Sequence, residues 1–289
     1  MSDGTATQNP SMEDWAGEMG ERWLANLAKF EEMIAPAGAA LMAHAGFGAG
    51  ERVVDVGCGG GATTIEIGRA VAPGGTVLGI DISPVLIDAA RRRADAAGLA
   101  NVRFMTADAA TVRPDGAPFD RLLSRFGSMF FTDFAAAFAN YRALLRDGGR
   151  ADLAVWAPVR ENGWIAGVQA IIGSHLESAA APAAPPPAHA PGPFALDDPA
   201  FVRPLLEEAG FEAQFTLWRG DQLIGGAGAK PAEAAAFVLE AMPFADALHE
   251  RPAELDAVRG ELTDLFARHH GGDGIRMSGA AWLITAYAR

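Results

Sequence analysis

Between Arg52 and about Trp156 short apolar runs rich in Val, Ile and Leu alternate with stretches whose apolar positions repeat at helical spacing. Arg52–Val56 reads as a buried strand, followed by a helix through Thr64–Arg69. Pro73-Gly74-Gly75 turns the chain into a second strand, Thr76–Ile80. A helix from Pro84 to Ala97 follows, with Ser83 as its N-cap and Gly98 as its stop. Val102–Thr106 and Phe119–Ser124 read as strands three and four. A helix from Asp133 to Arg146 then ends at Asp147-Gly148-Gly149, before strand five at Ala151–Trp156. Repeated strand–helix units with largely apolar strands imply a parallel sheet covered on both faces.

The flanking segments follow other patterns. Residues from about Ser11 to Phe47 look helical and carry Trp15, Trp23 and Phe30. After strand five, Trp164–Gln169 is helix-like, and Ala181–Pro191 is too proline-rich for helix or sheet, a lid edge or a plain surface linker. Beyond it come a helix at Pro199–Ala209, a strand at Phe211–Trp218, helical runs near Ala232–Ala241 and Ala253–His269, and a last strand at Ala281–Tyr287. The chain thus divides into a helical cap (1–50), a core (51–158), an insertion or lid (159–198) and a C-terminal part of the sheet with a helical insertion (199–289).

Composition narrows the classes. Of 289 residues half are apolar, and the formal net charge of −13 repels a phosphate backbone, which argues against nucleic acid as a partner. The lone cysteine, Cys58, leaves no disulfide framework or cysteine-rich metal site. The polar N-terminus lacks the order of a signal peptide, and no run has the ~20 apolar residues that membrane insertion requires. A cytoplasmic protein with a small-molecule substrate is expected; homodimerisation stays open.

The candidate chemistry starts at Asp55-Val56-Gly57-Cys58-Gly59-Gly60-Gly61. A strand, a glycine turn and a helix bring a ligand against backbone N–H groups. Gly57–Ala62 also fits the dinucleotide pattern G-x-G-x-x-G/A, so a nicotinamide-dependent oxidoreductase is one alternative. Three acids bear on the choice. Asp55 would repel a pyrophosphate but suits a cofactor with a cationic amino-acid portion. Asp81, ending strand two, can accept both ribose hydroxyls of either cofactor. Asp108, after strand three, can accept a hydrogen bond from an adenine amine. All three converge on the carboxyl edge of the sheet, where such folds bind ligands.

Val53–Gly61, Gly79–Ser83, Ala107-Asp108-Ala109, Phe119–Gly127 and Leu144–Arg150 together resemble the class I S-adenosylmethionine-dependent methyltransferases. Within them the likeness is to the branch of ubiquinone/menaquinone C-methyltransferases and related small-molecule enzymes, over roughly Glu51 to Pro158. The resemblance implies a Rossmann-like seven-stranded mixed sheet of order 3-2-1-4-5-7-6, with helices on both faces. Trp282–Tyr287 fits the final antiparallel strand, which a nicotinamide domain lacks. It further implies that Gly57, Cys58 and Gly59 line the methionine portion of S-adenosyl-L-methionine and that Asp81 holds the ribose. Ile82 would pack on the adenine, Asp108 and Ala109 would meet its edge, and Ser124 would lie beneath the sulfonium. N-terminal helices of relatives fold over the pocket, which gives Trp15 and Trp23 either a role there or simple core packing. A quinone substrate is not carried over, because the likeness fades in 159–193 and 220–278.

Methyl transfer is an in-line displacement at an already activated carbon. Positioning can supply roughly 7–11 kcal/mol, more than the roughly 3–5 kcal/mol of a 10²–10⁴-fold general base. A catalytic base is therefore dispensable; His175 is the candidate base, and Glu161 and Arg125, each just after a strand at the carboxyl edge, are candidates for substrate contact. Phe126, Met129, Phe130, Phe131 and Trp164 form an apolar substrate wall or simply core. The remaining histidines lack metal-ligand spacing, and one cysteine excludes the several that a metalloid methyltransferase needs. A protein that binds the cofactor without turnover, releasing no S-adenosyl-L-homocysteine, fits the same motifs.

Overall fold

The computed structural model describes residues 12–177 and 189–289; most of the proline-rich stretch lies outside the described residues. Three helices, α1 (Met12–Ala16), α2 (Glu18–Ala25) and α3 (Leu27–Ala45), precede β1 (Arg52–Val56). Then follow α4 (Ala62–Ala70), β2 (Thr76–Asp81), α5 (Pro84–Ala96), β3 (Val102–Thr106) and β4 (Phe119–Arg125). The core closes with α6 (Phe134–Leu144) and β5 (Leu145–Trp156). Next come α7 (Gly163–Glu177), α8 (Pro199–Glu208), β6 (Phe211–Ile224), α9 (Pro231–Ala241) and α10 (Pro252–Ala267). The two-residue β7 (His270–Gly271) and the long β8 (Gly274–Ala288) end the chain.

The sheet runs β3-β2-β1-β4-β5-β8-β6, with β7 a short hairpin partner of β8. The expected order holds: β8 is the seventh long strand, renumbered by that hairpin piece. The first five strands pair in parallel and β8 pairs antiparallel with both β5 and β6. Val53, Val54, Leu122, Leu123, Leu153 and Ala154 are wholly buried, because helices cover both faces of the central strands.

Several element ends differ from expectation. β6 and β8 each run about six residues further, pairing Gly220 with Gly279 and continuing to Ile224 and Ile275. The glycines and serine of that stretch do not end the strands; the ladder carries straight through them. Helix α6 stops at Leu144, and Leu145–Gly149 joins β5 through a register shift opposite Phe119 and Arg121. Ser83 has N-cap backbone geometry but its hydroxyl caps nothing; it is buried against Gly20 of α2. Asp133 and Asp198 do cap α6 and α8, accepting from the N–H groups of Ala136 and Ala200.

Helix α3 is tied to the sheet by a buried polar cluster. Arg121 on β4 donates to Ala45 O at 2.7 Å and to the buried Asp152 at 2.8 Å. Arg150 and Thr285 satisfy the other Asp152 oxygen. Removing one partner would strand a buried charge, so the cluster fixes where α3 lies above the strand ends.

Candidate active site

At the carboxyl edge of the sheet lies a cavity of about 380 Å³. Its first end is made by backbone. The N–H groups of Gly57 and Cys58 both donate to Ile80 O, at 2.8 and 3.1 Å, locking the glycine turn to β2. Gly57, Gly59 and Gly61 have φ of 66°, 53° and 80°, a region that side chains other than glycine rarely adopt. A Cβ on Gly57 would lie 2.7 Å from the Cα of Gly127, so the chains ending β1 and beginning after β4 touch through glycine alone. Asp81 accepts from Gly59 N–H at 2.8 Å and Ser83 N–H at 2.9 Å. Burial raises its pKa against those bonds.

Beside this turn, Glu31 of α3 is held by Arg93 in a bidentate pair at 2.6 and 2.8 Å, and Arg93 also donates to Gly60 O. Helix α3 of the N-terminal cap is thereby clamped to the glycine turn. Neither residue stands in a motif, and only the structure brings the pair together.

The far end is made by side chains. Trp15 packs edge-on against Phe130 and Trp23, and Trp23 stacks on Phe30 at 3.8 Å. Phe126 stacks on Trp156 at 4.2 Å, and Trp164 lies 5.8 Å from Trp156. Phe126 has φ of 61°, a strained conformation for an aromatic residue, and it faces the cavity. Trp164 is buried, and its indole N–H has no hydrogen-bond partner. Met33, Ile34, Phe131, Ile165, Phe194 and Met242 complete this apolar wall.

Of the residues singled out from sequence, Trp15, Trp23, Gly57, Cys58, Gly59, Asp81, Ile82, Ala109, Arg125, Phe126, Met129, Phe130, Phe131 and Trp164 line the cavity. Others do not. Asp55 is wholly buried one layer below, accepting from the hydroxyls of Thr63 and Thr64 at 2.8 and 2.7 Å. Burial raises its pKa to about 6, opposed by those hydroxyls and by nearby Arg125. Asp108 turns back on its own chain, accepting from Ala110 N–H at 2.8 Å. Ser124 is buried in β4, close behind Gly127.

The other two catalytic candidates, Glu161 and His175, are half-buried and paired elsewhere. Glu161 pairs with Arg219 at 2.9 Å and His175 with Glu261 at 2.8 Å, both outside the cavity wall. Cys58 is buried and its thiol is pushed well above its ordinary value by burial beside Asp81 and Asp55, which keeps it protonated. No group of His, Cys, Asp and Glu able to hold a metal occurs among the described residues. No described helix is long and apolar enough to cross a membrane.

Residues 53–149 match the methyltransferase domain family. Aklanonic acid methyltransferase DauC of a Streptomyces species is 39% identical over 110 residues, 38% of this chain and 49% of DauC. Nocamycin O-methyltransferase of Saccharothrix syringae is 33% identical over 168 residues, 56% of this chain and 59% of that enzyme. The chain therefore spans about half the length of the curated relatives it matches. Among solved structures, the cyclase SpnF superposes with a TM-score of 0.57 at 17% identity, covering 98% of this chain and 99% of its own. The YcgJ protein of Bacillus subtilis gives 0.56 at 18%, covering 86% and 97%. The central part of the chain, residues 53–149, is thus similar to methyltransferase domains, on a sheet of Rossmann-like strand order.

Proposed function

We propose that the protein binds S-adenosyl-L-methionine at the glycine-turn end of the cavity and transfers its methyl group to an oxygen, nitrogen or carbon atom of a small apolar molecule. The observation that carries this reading is continuity: one cavity runs from Asp81 and Gly57–Gly59, past Arg125–Gly127, to the aromatic wall. The residues present fit that cofactor. Asp81 would take the ribose hydroxyls, Ile82 and Ala109 would flank the adenine, and Gly57, Cys58 and Gly59 would border the methionine portion, under Trp23. Asp55, Asp108 and Ser124 act at one remove, by shaping the glycine turn, the loop after β3 and the floor behind Gly127.

The bound cofactor supplies a methyl group already activated by its sulfonium. The chain's contribution is orientation and exclusion of water by the lid aromatics. Glu31 and Asp81 are committed to Arg93 and to backbone N–H groups, and a guanidinium is a poor base, so none of the charged residues on the wall is placed to take a proton. This arrangement favours positioning over general-base catalysis, and an acceptor whose reacting atom needs little help in losing a proton.

A cyclase shares the fold over nearly the whole chain, so fold alone does not carry methyl transfer. S-adenosylhomocysteine at micromolar concentration should raise the melting temperature while NAD does not. Asp81→Ala should remove most of that effect, because the ribose hydroxyls lose a charged acceptor. Equal stabilisation by NAD would return the oxidoreductase reading. Release of S-adenosylhomocysteine across a panel of small aromatic acceptors would separate turnover from mere binding.

A further inference from the structure

The cavity wall carries three ionised side chains, and two are spoken for. Both oxygens of Glu31 are taken by Arg93, and Asp81 is held by two backbone N–H groups. The third, Arg125 at the end of β4, makes no hydrogen bond or ion pair among the described residues. It feels the carboxylates of Asp55, Glu31 and Glu66 without bonding to any of them, and burial pulls its pKa below the ordinary value. Arg125 is half-buried in the cavity wall, so its unpaired donors are offered to whatever anion enters the cavity.

The fold makes room for this side chain. Glu31, Ile34 and Gly38 lie on one stripe of α3, and the first two face the cavity. A Cβ on Gly38 would lie 3.1 Å from both Cδ and Nη1 of Arg125. The arginine thus rises from the sheet and passes under the helix at its one residue without a side chain. The next two residues, Phe126 with its positive φ and Gly127 pressed on Gly57, fix the chain that presents it.

We propose that Arg125 is the receptor for a carboxylate bound inside the cavity. Its planar fork matches a carboxylate in bidentate geometry. Two ligands can bring that group: the amino-acid tail of the cofactor, or an acceptor that is itself an aromatic acid. The first source rests on the reading given under the proposed function. The second does not, since it can be tested without any adenosyl ligand.

The test is calorimetric titration of wild type, Arg125→Met and Arg125→Lys. The adenosyl probes are S-adenosylhomocysteine and 5′-methylthioadenosine, which keeps the nucleoside and sulfur but lacks the tail. The acceptor probes are 2-naphthoate and neutral 2-naphthol, with and without S-adenosylhomocysteine. If the carboxylate is the cofactor's, Arg125→Met weakens S-adenosylhomocysteine roughly 10- to 100-fold and leaves 5′-methylthioadenosine within about twofold. If it is the acceptor's, the variant binds S-adenosylhomocysteine normally but loses the preference for naphthoate over naphthol. Arg125→Lys, which keeps the charge but not the fork, should fall between, with an unchanged melting temperature confirming the fold. No selective loss on either pair of probes overturns the proposal. Failure of wild type to bind either adenosyl probe would refute the proposed function instead and leave the naphthoate comparison to decide Arg125.

Discussion

The two ends of the cavity are built in different materials. At the glycine-turn end the wall is main chain: three positive-φ glycines, two N–H groups on Ile80 O, and two more on Asp81. At the aromatic end it is side chain, from the lid helices, the residues after β4, the end of β5 and α7. On the proposed reading the backbone cradle would hold the cofactor, and few side chains can alter it. A wall of packed rings is set by volume and shape, so it can change from relative to relative without disturbing the cradle. Binding and choice of acceptor are thereby separable, and the variants below either break that separation or sharpen it.

The largest effect is expected at the cradle. Gly57→Ala puts a Cβ 2.7 Å from the Cα of Gly127, where nothing flexible can yield, and forces a side-chain residue to φ 66°. Strain and overpacking together should cost on the order of 4 kcal/mol and abolish binding of S-adenosylhomocysteine. Urea unfolding and calorimetry check both; retained affinity would mean the turn is not the cradle.

Asp55, just below, offers a graded version. Its folded pKa of about 6 lies above the value near 3.9 of an unfolded aspartate. Below about pH 4 both states hold the proton and burial costs nothing. Between about pH 4 and 6 the unfolded chain ionises first, so stability falls as pH rises and then levels. The accumulated penalty is about 3 kcal/mol. Asp55→Asn never ionises and still accepts from Thr63 and Thr64. Its stability relative to wild type should therefore climb by roughly that amount between pH 4 and 7.5; a flat difference would place Asp55 at an ordinary pKa.

The same division explains what the sequence could tell. The cradle is legible because geometry leaves little freedom: only glycine fits at Gly57, and an acid at Asp81 must follow a strand by a fixed step. The alternation of apolar strands and helices implied a parallel sheet covered on both faces, while the order of its strands came from the family resemblance. The acceptor end had no such grammar. Trp156, Phe194 and Met242 come from distant elements and meet only through packing. Nothing near Glu31 or Arg93 in the chain announces their pairing across α3 and α5. Asp108 and Ser124 show the converse limit. Their positions follow from the strand pattern, but the direction of a side chain at a loop does not, and Asp108 turns onto its own backbone. Gly220 and Gly279 fall outside the apolar runs that mark the two strands, yet each is the other's partner in a continuing ladder.

On the aromatic wall Trp164→Phe is the milder probe. It removes an indole N–H that has no partner and keeps a ring beside Trp156. Stability should move by less than about 1.5 kcal/mol, and S-adenosylhomocysteine affinity should not move at all. The effect belongs in the KM of whichever acceptor the panel identifies. A drop in cofactor affinity would break the separation of the two ends.

The smallest effect is expected where the ends meet. Arg22 of α2, next to Trp23, pairs with Asp246 at 2.7 Å and with Glu18 at 2.9 Å. Asp246 lies in the short 3₁₀ turn that follows Met242, so the pair ties the lid to the acceptor wall. Both acids are largely exposed, and such pairs contribute roughly 0.2–1 kcal/mol. Arg22→Ala should therefore unfold almost as wild type does, with a difference that shrinks further in 0.5 M salt, on the order of the ionic strength at which surface pairs are screened. Its signature is local: faster amide exchange in α1 and α2, with α4 and α5 unchanged. If exchange quickened at the glycine turn as well, the lid and the cradle would open as one unit, and the acceptor end could not be varied without loosening the cofactor.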